Sequence, residues 1–133
     1  MNHTLPIKSL HHLARVTTRP EASTAFYRDV LGFREIERPN FDFRGAWLFG
    51  YGIQIHIIEN PRRAGQTGDE IDTRANHMAL AVDDFAEVEE KLKALGIRYH
   101  RQVNAGGIPQ IFFHDPDGHH IELGIYPATP PEV

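Results

Sequence analysis

Two stretches of this 133-residue chain read alike, and that internal repeat constrains the fold more than any other feature. The first, from His11, is HHLARVTTRPEASTAFYRDVLGFREIER; the second, from Asn76, is NHMALAVDDFAEVEEKLKALGIRYHRQ. Each runs from a histidine through a short apolar stretch, a polar break and a helical segment to Leu-Gly-apolar-Arg. His12 pairs with His77 at an offset of 65, and Leu31-Gly32-Phe33-Arg34 pairs with Leu95-Gly96-Ile97-Arg98 at 64. Downstream, GIQIHIIE pairs with GHHIELGI, which sets His56 opposite Glu122 at an offset of 66.

Each copy reads as β-α-β-β-β. In the first, strands are expected over Leu10–Thr17, Arg34–Arg38, Ala46–Phe49 and Ile53–Ile58; in the second, over His77–Val82, Arg98–Val103, Gln110–His114 and His120–Ile125. Pro20 suits the first turn of a helix whose apolar face is Phe26, Val30 and Leu31, closed by Gly32. In the second copy Asp84 and Glu87 have capping-box spacing, Phe85, Val88, Leu92 and Leu95 form a helical stripe to be buried, and Gly96 stands where a left-handed residue ends a helix. Asp115-Pro116-Asp117-Gly118 is a turn signal. The expected fold class is α+β in a single domain over residues 1–133: module one about 8–59, a polar linker about 60–74, and module two about 75–126. Four strands with one helix leave a sheet face uncovered. The two βαβββ modules should therefore pair, within one chain or across two, into a curved mixed sheet enclosing a cup.

A chain of this length removes roughly 68% of its unfolded surface on folding, enough for a core without staples. Cysteine is absent, which excludes disulfide scaffolds, thiolate metal sites and cysteine nucleophiles. No apolar run approaches the ~20 residues that span a bilayer, and MNHTLPIKSL lacks the shape of a signal peptide, so a cytoplasmic protein without a membrane partner is expected. Fourteen Lys and Arg against eighteen Asp and Glu, with no basic block, argue against nucleic acid. The nine histidines direct attention to metal binding, because imidazole is the commonest metal ligand.

Strand alternation sorts those histidines by face. His77, Ala79 and Ala81 oppose Met78, Leu80 and Val82, and the larger apolar set belongs against the helix, so His77 points into the cup. By the repeat, so does His12. The same argument turns Gln54 and His56 away from Ile53, Ile55 and Ile57, and Glu122 away from Ile121, Leu123 and Ile125. Three imidazoles and one carboxylate, His12, His56, His77 and Glu122, then face one cavity and suit Zn²⁺, Ni²⁺, Mn²⁺ or Fe²⁺. Trp47 and Phe49 line the cup or fill the sheet–helix core; with Gln54, Arg101, Gln110 and Phe112 they make up the candidate substrate pocket. Arg38, Arg62, Arg63 and Arg101 are candidates for holding substrate carboxylates. His11 should point away from His12, and His119 and His120, after a turn, should be solvated, with sharing of Glu122's face the alternative for His120. Arg15 breaks the pattern by falling on the helix-facing side, where the second copy has Leu80.

The segments LHHLARV, FYRDVLGF, IQIHIIE, NHMALAVDD and FFHDPDGHHIEL resemble the vicinal oxygen chelate superfamily, the glyoxalase / bleomycin resistance / dioxygenase group, from Leu10 to about Tyr126. The resemblance implies paired βαβββ modules and one divalent metal held at the first and fourth strands of each module, which here are His12, His56, His77 and Glu122. His56 departs from glyoxalase I, which has a glutamate there. The function implied is a metal-dependent lyase or isomerase of glyoxalase type on a small oxygenated substrate, such as a glutathione thiohemiacetal of an α-ketoaldehyde. Glu122 would be the proton-transfer residue, and a homodimer is the family habit. Two alternatives stand beside it: an Fe²⁺ ring-cleaving dioxygenase or thiol transferase of the same superfamily, and a metal-free protein that sequesters a small molecule.

Overall fold

A computed structural model describes residues 3–62 and 70–130. The chain forms two compact units, Met1–Gly65 and Gln66–Val133. Residues 63–69 of the expected linker, Arg63 among them, lie outside the described residues.

The first unit contains β1 (His12–Thr17), α1 (Pro20–Ala25), β2 (Arg34–Ile36), β3 (Gly45–Gly50) and β4 (Ile53–Glu59). Its sheet order is β1-β4-β3-β2, with β1 parallel to β4 and the other neighbours antiparallel. Pro20 opens α1, where its missing N–H costs nothing, and Thr17 Oγ1 accepts the Arg19 N–H just before it. The helix widens into a π-helical turn, Phe26–Val30, and Gly32 leaves it with φ at 85°. Tyr27, Phe33, Leu48, Ile55 and Ile57 are buried as its core, with the alternating isoleucines of β4 turned inward. Ile55→Val removes one methylene from that core and should cost about 0.5–1.5 kcal/mol, read as a lower urea midpoint with an unchanged slope.

The second unit repeats the plan: β5 (His77–Ala81), α2 (Ala86–Ala94), β6 (Tyr99–Val103), β7 (Pro109–His114) and β8 (His120–Gly124). Sheet order is β5-β8-β7-β6, with β5 parallel to β8. The two four-stranded sheets are mixed, and neither closes into a barrel. Gly96 follows α2 with φ at 69°, the repeat counterpart of Gly32. The DPDG turn is tied by Asp115 Oδ1, which accepts the N–H groups of Asp117 and His119 at 2.9 Å each.

Two local expectations change, and Arg15 stays the exception to the pattern. Asp84 Oδ1 accepts the Ala86 N–H, but Glu87 pairs with Lys91 one turn on instead of reaching back, so only half of a capping box forms. Leu95, the C-cap residue beyond the last helical turn, is 57% exposed, whereas Phe85 and Leu92 are buried as expected. No bulge relieves Arg15: the β1–β4 register runs unbroken from His12 to Thr17, and the buried Arg15 Nε has no hydrogen-bond partner.

Candidate functional site

In the first unit, register brings His12, Gln54, His56, Trp47 and Phe49 to the sheet face away from Ile55 and Ile57. His12 lies opposite Gln54, Trp47 opposite His56, and Phe49 opposite Gln54. The His56 ring is clamped between two others, with His12 stacked at 3.9 Å between centroids and Trp47 at 4.2 Å. His56 Nε2 lies 2.9 Å from Gln54 Oε1, so an Nε2–H donates there and the lone pair falls on Nδ1. Burial, then the neighbouring His12, His11 and Arg38, hold the His56 imidazole below its ordinary value and favour the neutral ring that can ligate. Arg38 lies over the stacked rings of Phe41 and Phe43, in the loop that leads into β3.

In the second unit, β5, β8 and β7 bring His77, Glu122, Phe112 and Gln110 to one face. His77 Nε2 lies 3.2 Å from Glu122 Oε1. The other His77 nitrogen, Nδ1, is 2.7 Å from the Ala75 carbonyl, an acceptor only, so Nδ1 carries the proton. Gln110 Nε2 donates to Glu122 Oε1 at 3.1 Å, and the Tyr126 hydroxyl donates to Oε2. Glu122 is buried, and Phe112 packs edge-on against the His77 ring. Burial, then the hydrogen bond to Glu122 and its charge, push the Tyr126 phenol up, so it stays a donor.

Among the described residues, no three His, Asp or Glu side chains converge as a ready-made ion cage. The four candidates come as two pairs, His12 with His56 in one unit and His77 with Glu122 in the other. The donor set and spacing of the second pair fit a cation. His77 Nε2 faces a buried carboxylate oxygen, and either a proton on that nitrogen or a cation between the two atoms satisfies both. With metal–ligand bonds of about 2.0–2.2 Å, two donors sharing an ion stand about 3.0–3.4 Å apart. The Ala75 carbonyl and Gln110 supply the outer hydrogen bonds that fix such ligands. The first pair is stacked, and His56 must leave Gln54 before its Nε2 can ligate.

Other expectations are corrected. Arg101 leaves the candidate pocket: it lies on the opposite sheet face, bonded to Glu89 of α2 and stacked over Phe85. His11 does not point away from His12; it precedes β1, escapes strand alternation, and sets its Nδ1 2.9 Å from His12 Nδ1. His119 and His120 are buried, not solvated. His120 Nε2 accepts the Asp72 N–H, which fastens the segment before His77 to β8, and His114 Nε2 approaches the same nitrogen at 3.1 Å. Tyr126 had no role by sequence, although a glycine at position 124 in a strand is the usual sign of something packed close to the backbone.

His114 supplies a pH test. Burial, then His120 and Arg98, push its imidazole below the ordinary value, against smaller opposing effects of Asp115 and the Glu70 backbone. The unfolded chain therefore takes up the proton first. The stabilisation is present above about pH 6.5 and is lost as pH falls toward the depressed folded value. Metal-free protein should melt progressively lower from about pH 7 to 5, and His114→Gln should flatten that slope. Equal slopes in the two proteins would remove His114 as the cause.

The description Glyoxalase/Bleomycin resistance protein/Dioxygenase superfamily matches residues 9–123. The chain is 41% identical over 126 residues to "Glyoxylase I 4" of Arabidopsis thaliana, covering 90% of this chain and 71% of that one. It is 34% identical over 125 residues to "Lactoylglutathione lyase" of Escherichia coli O157:H7, covering 88% and 91%. Among solved structures, a glyoxalase family protein from Enterococcus faecalis is similar at a TM-score of 0.70 and 26% identity, over 90% of this chain and 99% of that one.

Proposed function

This chain belongs to the Glyoxalase/Bleomycin resistance protein/Dioxygenase superfamily, and from that membership we propose a metal-dependent lyase or isomerase of glyoxalase type acting on a glutathione thiohemiacetal of a small α-ketoaldehyde. The observation that carries this reading is the His77–Glu122 pair: an imidazole nitrogen 3.2 Å from a buried carboxylate oxygen, each partner already held from behind. His12, His56, His77 and Glu122 are the proposed ligands of one divalent ion, Zn, Ni, Mn or Fe. Bound there, the ion supplies Lewis-acid polarisation of the two neighbouring substrate oxygens.

Glu122 takes the proton from the carbon bearing sulfur and hydroxyl. The C–H electron pair moves into the bond to the neighbouring carbonyl carbon, whose oxygen gains the charge. Glu122 then returns the proton to that second carbon while the hydroxyl proton of the first carbon passes to the charged oxygen of the second, leaving a 2-hydroxyacyl thioester and no net change in composition. Trp47 and Phe49 offer apolar surface for the substrate's carbon chain, Phe112 backs the His77 ring from within the sheet, and Gln54 and Gln110 offer hydrogen bonds to the substrate's oxygens. A cytoplasmic setting and a homodimer belong to the same proposal. The absence of cysteine supports the first, and family resemblance supports the second. Among the described residues no helix is long and apolar enough to cross a membrane.

The test is metal content of the purified protein, followed by thioester formation from methylglyoxal and glutathione after metal loading. No rate above a Glu122→Gln control removes the reading. The Gln54 bond and the Trp47 clamp on His56 favour one second reading. If His56 stays there, His12, His77 and Glu122 make a two-His, one-carboxylate set of the kind used by Fe²⁺ oxygenases. Oxygen uptake with a catechol by iron-loaded protein, without thioester formation, would select it.

A further inference from the structure

Tyr126 lies four residues beyond Glu122, and β8 ends at Gly124 between them. Along an extended strand that separation is about 13 Å, so a hydroxyl at 126 reaches a carboxylate at 122 only if its ring lies back over the strand. It does so at Gly124. A Cβ there would fall inside the van der Waals envelope of Tyr126 Cζ, Cε1 and the hydroxyl oxygen. The register neighbours of Gly124 are Ala81 on one side and Gln110 on the other. Gln110 donates to Glu122 Oε1, while Tyr126 donates to Oε2. With one oxygen tied by the phenol and the other by the Gln110 amide, the carboxylate plane is held with one oxygen toward His77 Nε2.

We propose that Gly124 and Tyr126 form a seat-and-latch pair that fixes the Glu122 carboxylate in its ligating orientation, making Tyr126 a positioning residue for the metal and for proton transfer. This rests on the site proposed above. Gly124 acts only by leaving space, and Tyr126 acts only through its hydroxyl. A side chain at 124 and loss of the hydroxyl at 126 should therefore produce the same defect.

The test is affinity for Ni²⁺ alone, by competition with a chromophoric chelator, and the visible spectrum of the Co²⁺-loaded protein. Tyr126→Phe should weaken Ni²⁺ about 10- to 100-fold, the usual effect of losing an outer hydrogen bond to a ligand, and should alter the Co²⁺ spectrum. Gly124→Ala should push the ring off the strand and do the same, and the double variant should bind no more weakly than Tyr126→Phe. With substrate, Tyr126→Phe should lower kcat with little change in KM. Tyr99→Phe is the control, because its hydroxyl bonds Glu89 of α2 and should leave Ni²⁺ affinity unchanged. Unchanged affinity and spectrum in Tyr126→Phe, with a wild-type chain that binds Ni²⁺, overturn the latch and leave the site standing. A wild-type chain that takes up no Ni²⁺ overturns the site, and the latch falls with it.

Discussion

Glu122→Gln should lower kcat/KM for the methylglyoxal–glutathione adduct about 10²- to 10⁴-fold, the span that a positioned general acid–base contributes. The substitution is informative because it is nearly isosteric in a buried place. A glutamine amide oxygen can keep the Tyr126 hydroxyl, and its NH₂ then faces both His77 Nε2 and the Gln110 NH₂, which loses its acceptor. Thermal stability of the metal-free variant should therefore fall by the cost of one unsatisfied donor, about 1–3 kcal/mol. The amide cannot accept and return a proton, and it is a poorer ligand than a carboxylate. Measuring metal content on the same samples separates the two losses: a variant that still holds a full equivalent of metal yet remains inactive has lost the proton carrier. A variant with wild-type turnover would remove Glu122 from that role and transfer the question to His56.

The repeat and the strand alternation made most of this architecture legible before any coordinates. The faces of His56, His77 and Glu122 follow from isoleucine, leucine and methionine occupying the alternate positions, because a period of two leaves those side chains no other face, and the face of His12 follows from the repeat. Arg101 was legible by the same rule and was misread. It shares its face of β6 with Tyr99, whose hydroxyl bonds Glu89 of α2, so its charge drew attention that its position did not support. In both modules an arginine lies on the helix side; Glu89 compensates Arg101, whereas Arg15 Nε stays unpartnered.

Burial of His120 was not legible, because it depends on a contact 48 residues away. The Asp72 N–H reaches His120 Nε2 from a segment whose composition reads only as linker. Local pattern carries no information about which strand a polar connection will lie against. The Ala75 carbonyl that fixes the His77 tautomer is hidden for the same reason: backbone acceptors leave no mark in a sequence.

His77→Ala should abolish metal-dependent stabilisation. A ligand that binds only the folded chain, present at a hundredfold excess over its Kd, adds about 2.7 kcal/mol. At about 2–4 °C per kcal/mol for chains somewhat larger than this one, the wild-type Tm should rise by about 5–10 °C on adding Ni²⁺ or Zn²⁺ and fall back with a chelator. His77 is the informative position because its Nε2 is already directed, the Ala75 carbonyl holding Nδ1–H and Phe112 bracing the ring, so little ordering cost remains at binding. Removing the imidazole leaves Glu122 with Gln110 and Tyr126, a carboxylate satisfied by neutral donors and with no second ligand beside it in its own unit. Scanning calorimetry of both proteins with and without metal decides the matter. A His77→Ala variant that gains as many degrees as wild type would show that the ion, if it binds, binds elsewhere.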